Sequence, residues 1–153
     1  TLHTNDAIGG ITRLVEMGVE PFLVASSVRA FLAQRLVRSL CPQCKQAAHY
    51  SKEQLTACGF GEGVGKTIFT ASSPGCVACR STGYHGRLAI YEIVLATNAM
   101  QDLISARASA NELLRQARKD GYISLREYGW RKVLEGVTTV EEVMRVTSED
   151  FLD

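Results

Sequence analysis

The sequence predicts a mostly α-helical chain with one small metal-binding β segment, on three observations. Four cysteines form two C-x2-C pairs, helix start signals recur through the last third, and one β-rich run, "RLAIYEIVLA", lies between them. The chain has 153 residues, 46% apolar and 22% charged, enough for one ordinary domain or two or three small subdomains. No apolar run approaches the roughly 18–20 residues of a membrane span, and no signal peptide is visible. The chain starts at Thr1, inside a run that reads as a strand, so we expect a piece of a larger protein.

Taken in order, "TLHT" reads as a strand end, and "TND" supplies helix N-cap residues. Ile8, Ile11, Leu14 and Val15 recur at helical spacing until Gly18 closes the segment. Pro21 suits the first turn of a second helix, whose buried stripe is expected to be Val24, Val28, Phe31, Leu32, Leu36 and Leu40. Arg35 and Arg38 would then sit near its C-terminal end, where the helix dipole favours cations. From Cys41 to about Gly86 the texture changes to cysteine pairs, glycines and short segments, and Arg87–Ala96 follows as a strand. Asn98 with Gln101, Ser109 with Glu112, Ser124 with Glu127 and Thr138 with Glu141 have capping-box spacing, with Gly121 and Gly136 as stops. The last third is therefore expected to be a bundle of short helices. Leu103, Ile104, Leu113, Leu114, Leu125, Tyr128, Trp130, Val133, Leu134 and Val143 are its candidate core.

The net charge of +1 hides an asymmetry. Residues 21–91 hold eight bases against Glu53 and Glu62, a net of +6, whereas residues 92–153 come to −3 and residues 1–20 to −2. The basic middle suits phosphates, anionic headgroups or an acidic protein face, or is simply a solvated surface.

The cysteine pattern is C-x2-C-x31-C-x2-C through Cys41, Cys44, Cys76 and Cys79. Two residues between cysteines let a tight turn aim both sulfurs at one ion, and two such knuckles complete a tetrahedral thiolate shell. A closed four-sulfur shell has no open position, so the zinc it would hold is structural. A thioredoxin-like dithiol and a pair of disulfides are the alternatives. A dithiol needs only one pair, and disulfides fit poorly with a fifth cysteine and no secretion signal. Four thiolates and one Zn2+ leave a charge of −2, for which Lys45 and Arg80 are natural neighbours. Cys58 lacks a partner at ligand spacing and reads as a small apolar residue, while His49 and His85 are possible replacement ligands.

"GFGEGVGKT", Gly59 to Thr67, imitates a phosphate-binding loop. The pattern G-x-x-x-x-G-K-[ST] needs glycine at position 60, which is Phe60. A phosphate loop runs from strand to helix so that backbone N–H groups converge on the anion. Here "SKEQLTAC" before it looks helical and "TIFTA" after it looks like a strand, so the order is reversed. The stretch is read as the connection between the two knuckles.

Together, "TLHTNDA", "TRLVEMGVEPFLVASSV", "AQRLVRSLCPQCK", "GCVACRSTGYHGRLAIYEIV" and "GVTTVEEVMRVTSED" closely resemble the secretion ATPases of the type II secretion and type IV pilus assembly class. The matches run in order over nearly the whole chain, and the four-cysteine insert is more similar to the type II secretion member. The resemblance implies α/β parentage: the rear of a RecA-like ATPase core over residues 1–40, a zinc subdomain over 41–90, and a strand plus C-terminal helices over 91–153. It implies ATP and Mg2+ in the full-length parent, a homo-hexamer at the cytoplasmic face of the inner membrane, and inner-membrane components of the secretion machinery as partners. "TLHTN" is similar to the family's histidine box, so His3 would sense the nucleotide's γ-phosphate. The alternative for His3 is an ordinary strand histidine satisfied by backbone groups. The family's phosphate loop and Walker B acid have no counterpart here, so the chain alone is expected not to hydrolyse ATP. A zinc-ribbon nucleic-acid-binding module and a dithiol oxidoreductase are the readings from other classes, and the resemblance implies no specific nucleic-acid partner.

Overall fold

The computed structural model describes residue 2 and residues 4–148. The elements are α1 (Ala7–Glu16), α2 (Pro21–Ser27), β1 (Ala30–Leu40), β2 (Gln46–Ala48), α3 (Lys52–Ala57), β3 (Ile68–Thr70), β4 (Tyr84–Leu95), α4 (Asn98–Ser105), α5 (Ala110–Lys119), α6 (Leu125–Leu134) and α7 (Val140–Thr147). The chain is thus mixed α/β, with β1 paired to β4 and β2 paired antiparallel to β3. It divides into two compact units, each built from two stretches of chain: Thr1–Gln34 with Tyr91–Leu125, and Arg35–Ile90 with Arg126–Asp153.

In the first unit, the Asp6 carboxylate caps α1 by accepting from Gly9 N. The main chain turns at Gly18 with φ +89°, where a side chain would be strained. Pro21 opens α2 as expected. α1 packs on α2 and α5, and α4 packs on α2 and α5. Ile11, Val24, Met100, Ile104 and Leu113 are buried there. Ser109 and Glu112 form the expected capping box of α5, and Gly121 follows it with φ +88°. α4 starts one residue earlier than the Asn98 signal implied, because Thr97 Oγ1 accepts from Met100 N.

The expected second helix is wrong beyond Ser27. Val28 is already extended (φ −84°, ψ 136°), and Ala30–Leu40 is strand β1. The run satisfies two periods: Val28, Leu32, Leu36 and Leu40 recur every four residues, while Phe31, Ala33 and Val37 fall on alternate positions. Pairing with β4 selects the alternating set. Phe31, Ala33, Val37 and Leu40 are buried, whereas Leu32 and Leu36 are 58% and 48% exposed. Arg35 and Arg38 are consequently strand residues and do not lie at the C-terminal end of a helix.

The second unit joins the cysteine-rich segment to the last two helices. Leu55 and Phe60 pack with Ile68 of β3 and with Trp130, Val133, Val140 and Val143. The Phe60 and Trp130 rings stack with centroids 4.6 Å apart and planes at 17°. Gly129 lets α6 approach α7, since a Cβ there would stand 2.6 Å from Val143 Cγ1. The expected bundle of the last third is therefore divided: α4 and α5 belong to one unit, α6 after Leu125 and α7 to the other. The apolar faces of α6 and α7 are used up against Leu55, Phe60 and Ile68, and Leu114, expected in a core, is 37% exposed. Thr139, not Thr138, caps α7, and Thr138 Oγ1 instead donates to Arg38 O at 2.8 Å.

Candidate metal centre

Cys41 directly follows β1, and the turn after it folds back through Lys45 N to Cys41 O at 3.0 Å. Cys76 precedes a single 3-10 turn, Val77–Cys79, closed by Ser81 N donating to Cys76 O at 2.9 Å. Cys41 N donates to Gly83 O at 3.0 Å and stitches the first knuckle to the second. The four sulfurs of Cys41, Cys44, Cys76 and Cys79 all lie within 4.8 Å of one another. Cys41 to Cys76 and Cys44 to Cys79 are 3.8 Å apart, and Cys76 to Cys79 is 3.9 Å.

Those distances decide among the chemistries. A sulfur tetrahedron around zinc at ~2.3 Å has edges of about 3.8 Å, whereas a disulfide brings sulfurs to about 2.05 Å. All five cysteines are free, and the four at ligand spacing have tetrahedral separations. The cluster fits a metal ion such as zinc, and among the described residues no histidine joins it.

The backbone prepares the sulfurs for negative charge. Cys76 N and Gly83 N each point at Cys79 Sγ at 3.2 Å. Burial would raise the Cys79 thiol, but these backbone donors outweigh it and hold Cys79 below the ordinary thiol range. Cys44 is pushed up, first by burial. Gly75 and Gly83 make the approach possible. A Cβ on Gly75 would stand 2.4 Å from Gly83 N and 2.6 Å from Cys79 Sγ, and Gly83 has φ +75° with Ser72 O 2.7 Å from its ideal Cβ. Lys45 is not devoted to the sulfurs: its Nζ donates to Gly136 O at 2.8 Å and lies 4.6 Å from the Phe69 ring centroid. Cys58 Sγ lies 3.2 Å from Leu55 O, apart from the cluster.

Gly59–Thr67 lies between α3 and β3, in the helix–loop–strand order read from the sequence. Lys66 and Thr67 are exposed at a surface recess, and no helix begins there to aim its N–H groups at an anion. His3 lies outside the described residues.

Two buried carboxylates were not singled out by any motif. Glu92 accepts from Ala7 N at 2.6 Å, Tyr122 Oη at 2.7 Å and Leu125 N at 2.9 Å, so one side chain serves the first residues of both α1 and α6. Glu142 collects Arg38 and Arg145. Glu92 stands alone among apolar neighbours in a strand, and that was the available signal for it. Glu142 is one of two adjacent acids in the first turn of α7, and nothing local sets it apart from Glu141.

The family described as "Type II/IV secretion system protein" matches residues 1–145. The type II secretion system protein E of Pseudomonas aeruginosa is 51% identical over 150 residues, covering 98% of this chain and 29% of that protein. The type II secretion system ATPase E of Vibrio cholerae is 44% identical, covering 97% of this chain and 29% of that protein. The type IV pilus assembly ATPase PilB of Myxococcus xanthus is 45% identical, covering 98% and 27%. The chain therefore spans under a third of the length of these relatives. A crystal structure of the pilus retraction motor PilT with bound ADP superposes with a TM-score of 0.55 at 17% identity, over 95% of this chain and 31% of that one. That likeness concerns the fold alone.

Proposed function

Because the chain belongs to the type II/IV secretion system protein family, we propose that it is the C-terminal part of a hexameric ATPase. The parent couples ATP hydrolysis to pseudopilus assembly and protein export by type II secretion. The 51% identity to a type II secretion protein across 98% of the chain carries this reading. The 45% identity to a pilus assembly ATPase supports pilus assembly as the second reading.

Along the sequence, residues 1–40 belong to the rear of a RecA-like core, 41–90 to a zinc subdomain, and 91–153 to a strand and C-terminal helices. Cys41, Cys44, Cys76 and Cys79 hold a structural Zn2+, for which their spacing is suited. His3 serves as the γ-phosphate sensor of the assembled site. ATP and Mg2+ are bound by parts of the parent outside this chain. The ring acts at the cytoplasmic face of the inner membrane, against inner-membrane components of the secretion machinery. Among the described residues, no helix is long and apolar enough to cross a membrane.

Calorimetric titration of this chain with ATP tests the assignment. We expect no tight binding and no turnover, and both in a polypeptide extended upstream through a phosphate loop. Hydrolysis by the present chain alone would overturn it.

A further inference from the structure

The second unit carries a charged cluster that the metal centre does not use. Glu142, in the first turn of α7, has a side chain 1% exposed, and its two oxygens accept five N–H bonds. Three come from Arg38 on β1: the backbone N at 2.8 Å, Nε at 2.9 Å and Nη2 at 2.7 Å. Two come from Arg145: Nε at 3.1 Å and Nη2 at 2.8 Å. A carboxylate offers about four lone-pair positions, so Glu142 is saturated. It neutralises one of the two guanidinium charges, and among the described residues no other carboxylate is paired with either arginine.

The two arginines are not equivalent as structural ties. Arg38 joins β1 to α7 across 104 residues of sequence. Arg145 is only three residues from Glu142 on the same helix, and therefore joins nothing that α7 does not already join. What Arg145 adds is charge and a second donor face. The side chains of Arg38 and Arg145 are 51% and 57% exposed. Among the described residues, neither Nη1 has a hydrogen-bond partner.

The geometry also holds both groups still. Bonds of 2.9 and 3.1 Å to the same Glu142 oxygen keep the two Nε atoms within about 6 Å. The Tyr84 ring, 4.0 Å from Arg38 Cζ, supports that guanidinium on its face. The neighbouring acid, Glu141, is engaged by Tyr50 Oη at 2.7 Å. Guanidiniums fixed in this way lose little freedom on meeting an oxyanion, and their planar forks match its oxygens.

We propose that Arg38 and Arg145 form a phosphate-binding fork on the surface of this unit, with Glu142 as the post that fixes both. The ligand chemistry is a phosphate group, whether free, on a nucleotide or on a lipid.

The test follows the arginine Nε–Hε resonances of the intact 153-residue protein by NMR during titration with sodium phosphate, against sodium chloride at matched ionic strength. The Arg38 and Arg145 signals should move saturably with phosphate and not with chloride. Arg145→Gln should weaken phosphate binding about tenfold or more, with circular dichroism and Trp130 emission unchanged. Arg145→Lys, keeping the charge without the fork, should fall between. Parallel titrations with ADP and with phosphatidylglycerol vesicles, against phosphatidylcholine vesicles, identify the source. A tighter response to either than to phosphate names it, and a response to phosphate alone assigns a free-ion site. Resonances that move equally with chloride, or affinity unchanged in Arg145→Gln, would overturn the proposal. Should the variant fail to fold, the wild-type resonances decide by themselves.

Discussion

Glu142 makes the stability of the second unit depend on pH in a way that one substitution isolates. Burial alone would raise its carboxyl, but the hydrogen bonds from Arg145 and Arg38 prevail and hold it at about 2, against 4.5 ordinarily. A carboxylate depressed in the folded state stabilises that state above the unfolded pKa, and the benefit is lost as pH falls through the folded one. A depression of this size corresponds to about 3 kcal/mol at pH 7 and about 2 kcal/mol at pH 3.5. Glu142→Gln should therefore destabilise the unit at pH 7, and the gap to wild type should narrow by about 1–1.5 kcal/mol by pH 3.5. The assay is urea unfolding followed by the fluorescence of Trp130, the single tryptophan, which lies in the same unit. Protonation of the cysteine thiolates affects both proteins and cancels in the difference. A gap that stays constant between the two pH values would refute the charge-linked account.

Two further outcomes follow from packing and from the metal centre. Phe60→Ala removes a fully buried ring stacked on Trp130 and should cost about 3–5 kcal/mol, read from urea midpoints. A loss below about 1 kcal/mol would show that the stack is not part of the folding core. Gly83→Ala puts a side chain at φ +75° and 2.7 Å from Ser72 O. It should lower zinc affinity at least tenfold, on the order of the loss when an outer-shell partner is removed, measured by competition with a chromogenic chelator. Wild-type affinity would mean that the backbone at position 83 accommodates a side chain without disturbing the bond from its N–H to Cys79 Sγ.

The four-cysteine cluster was legible in the sequence because its information is local. Two residues between cysteines set each knuckle, and only the pairing of knuckles had to come from the fold. The capping box at Ser109, the glycine stops at Gly121 and Gly136, and the helix–loop–strand order around Gly59–Thr67 were legible for the same reason. Residues 28–40 were not, since their apolar side chains fit a helical and a strand period equally well. The choice fell to a partner, β4, that lies more than forty residues away. The division of the last four helices between two units was likewise decided by which apolar faces meet Leu55, Phe60 and Ile68. By itself the sequence determined which four cysteines gather, the family and most helix boundaries, through short-range spacing and ordered motifs. Only the tertiary structure decided that Glu92 and Glu142 would be buried hubs, because donors as distant in sequence as Ala7 and Arg38 reach them only once the chain has folded.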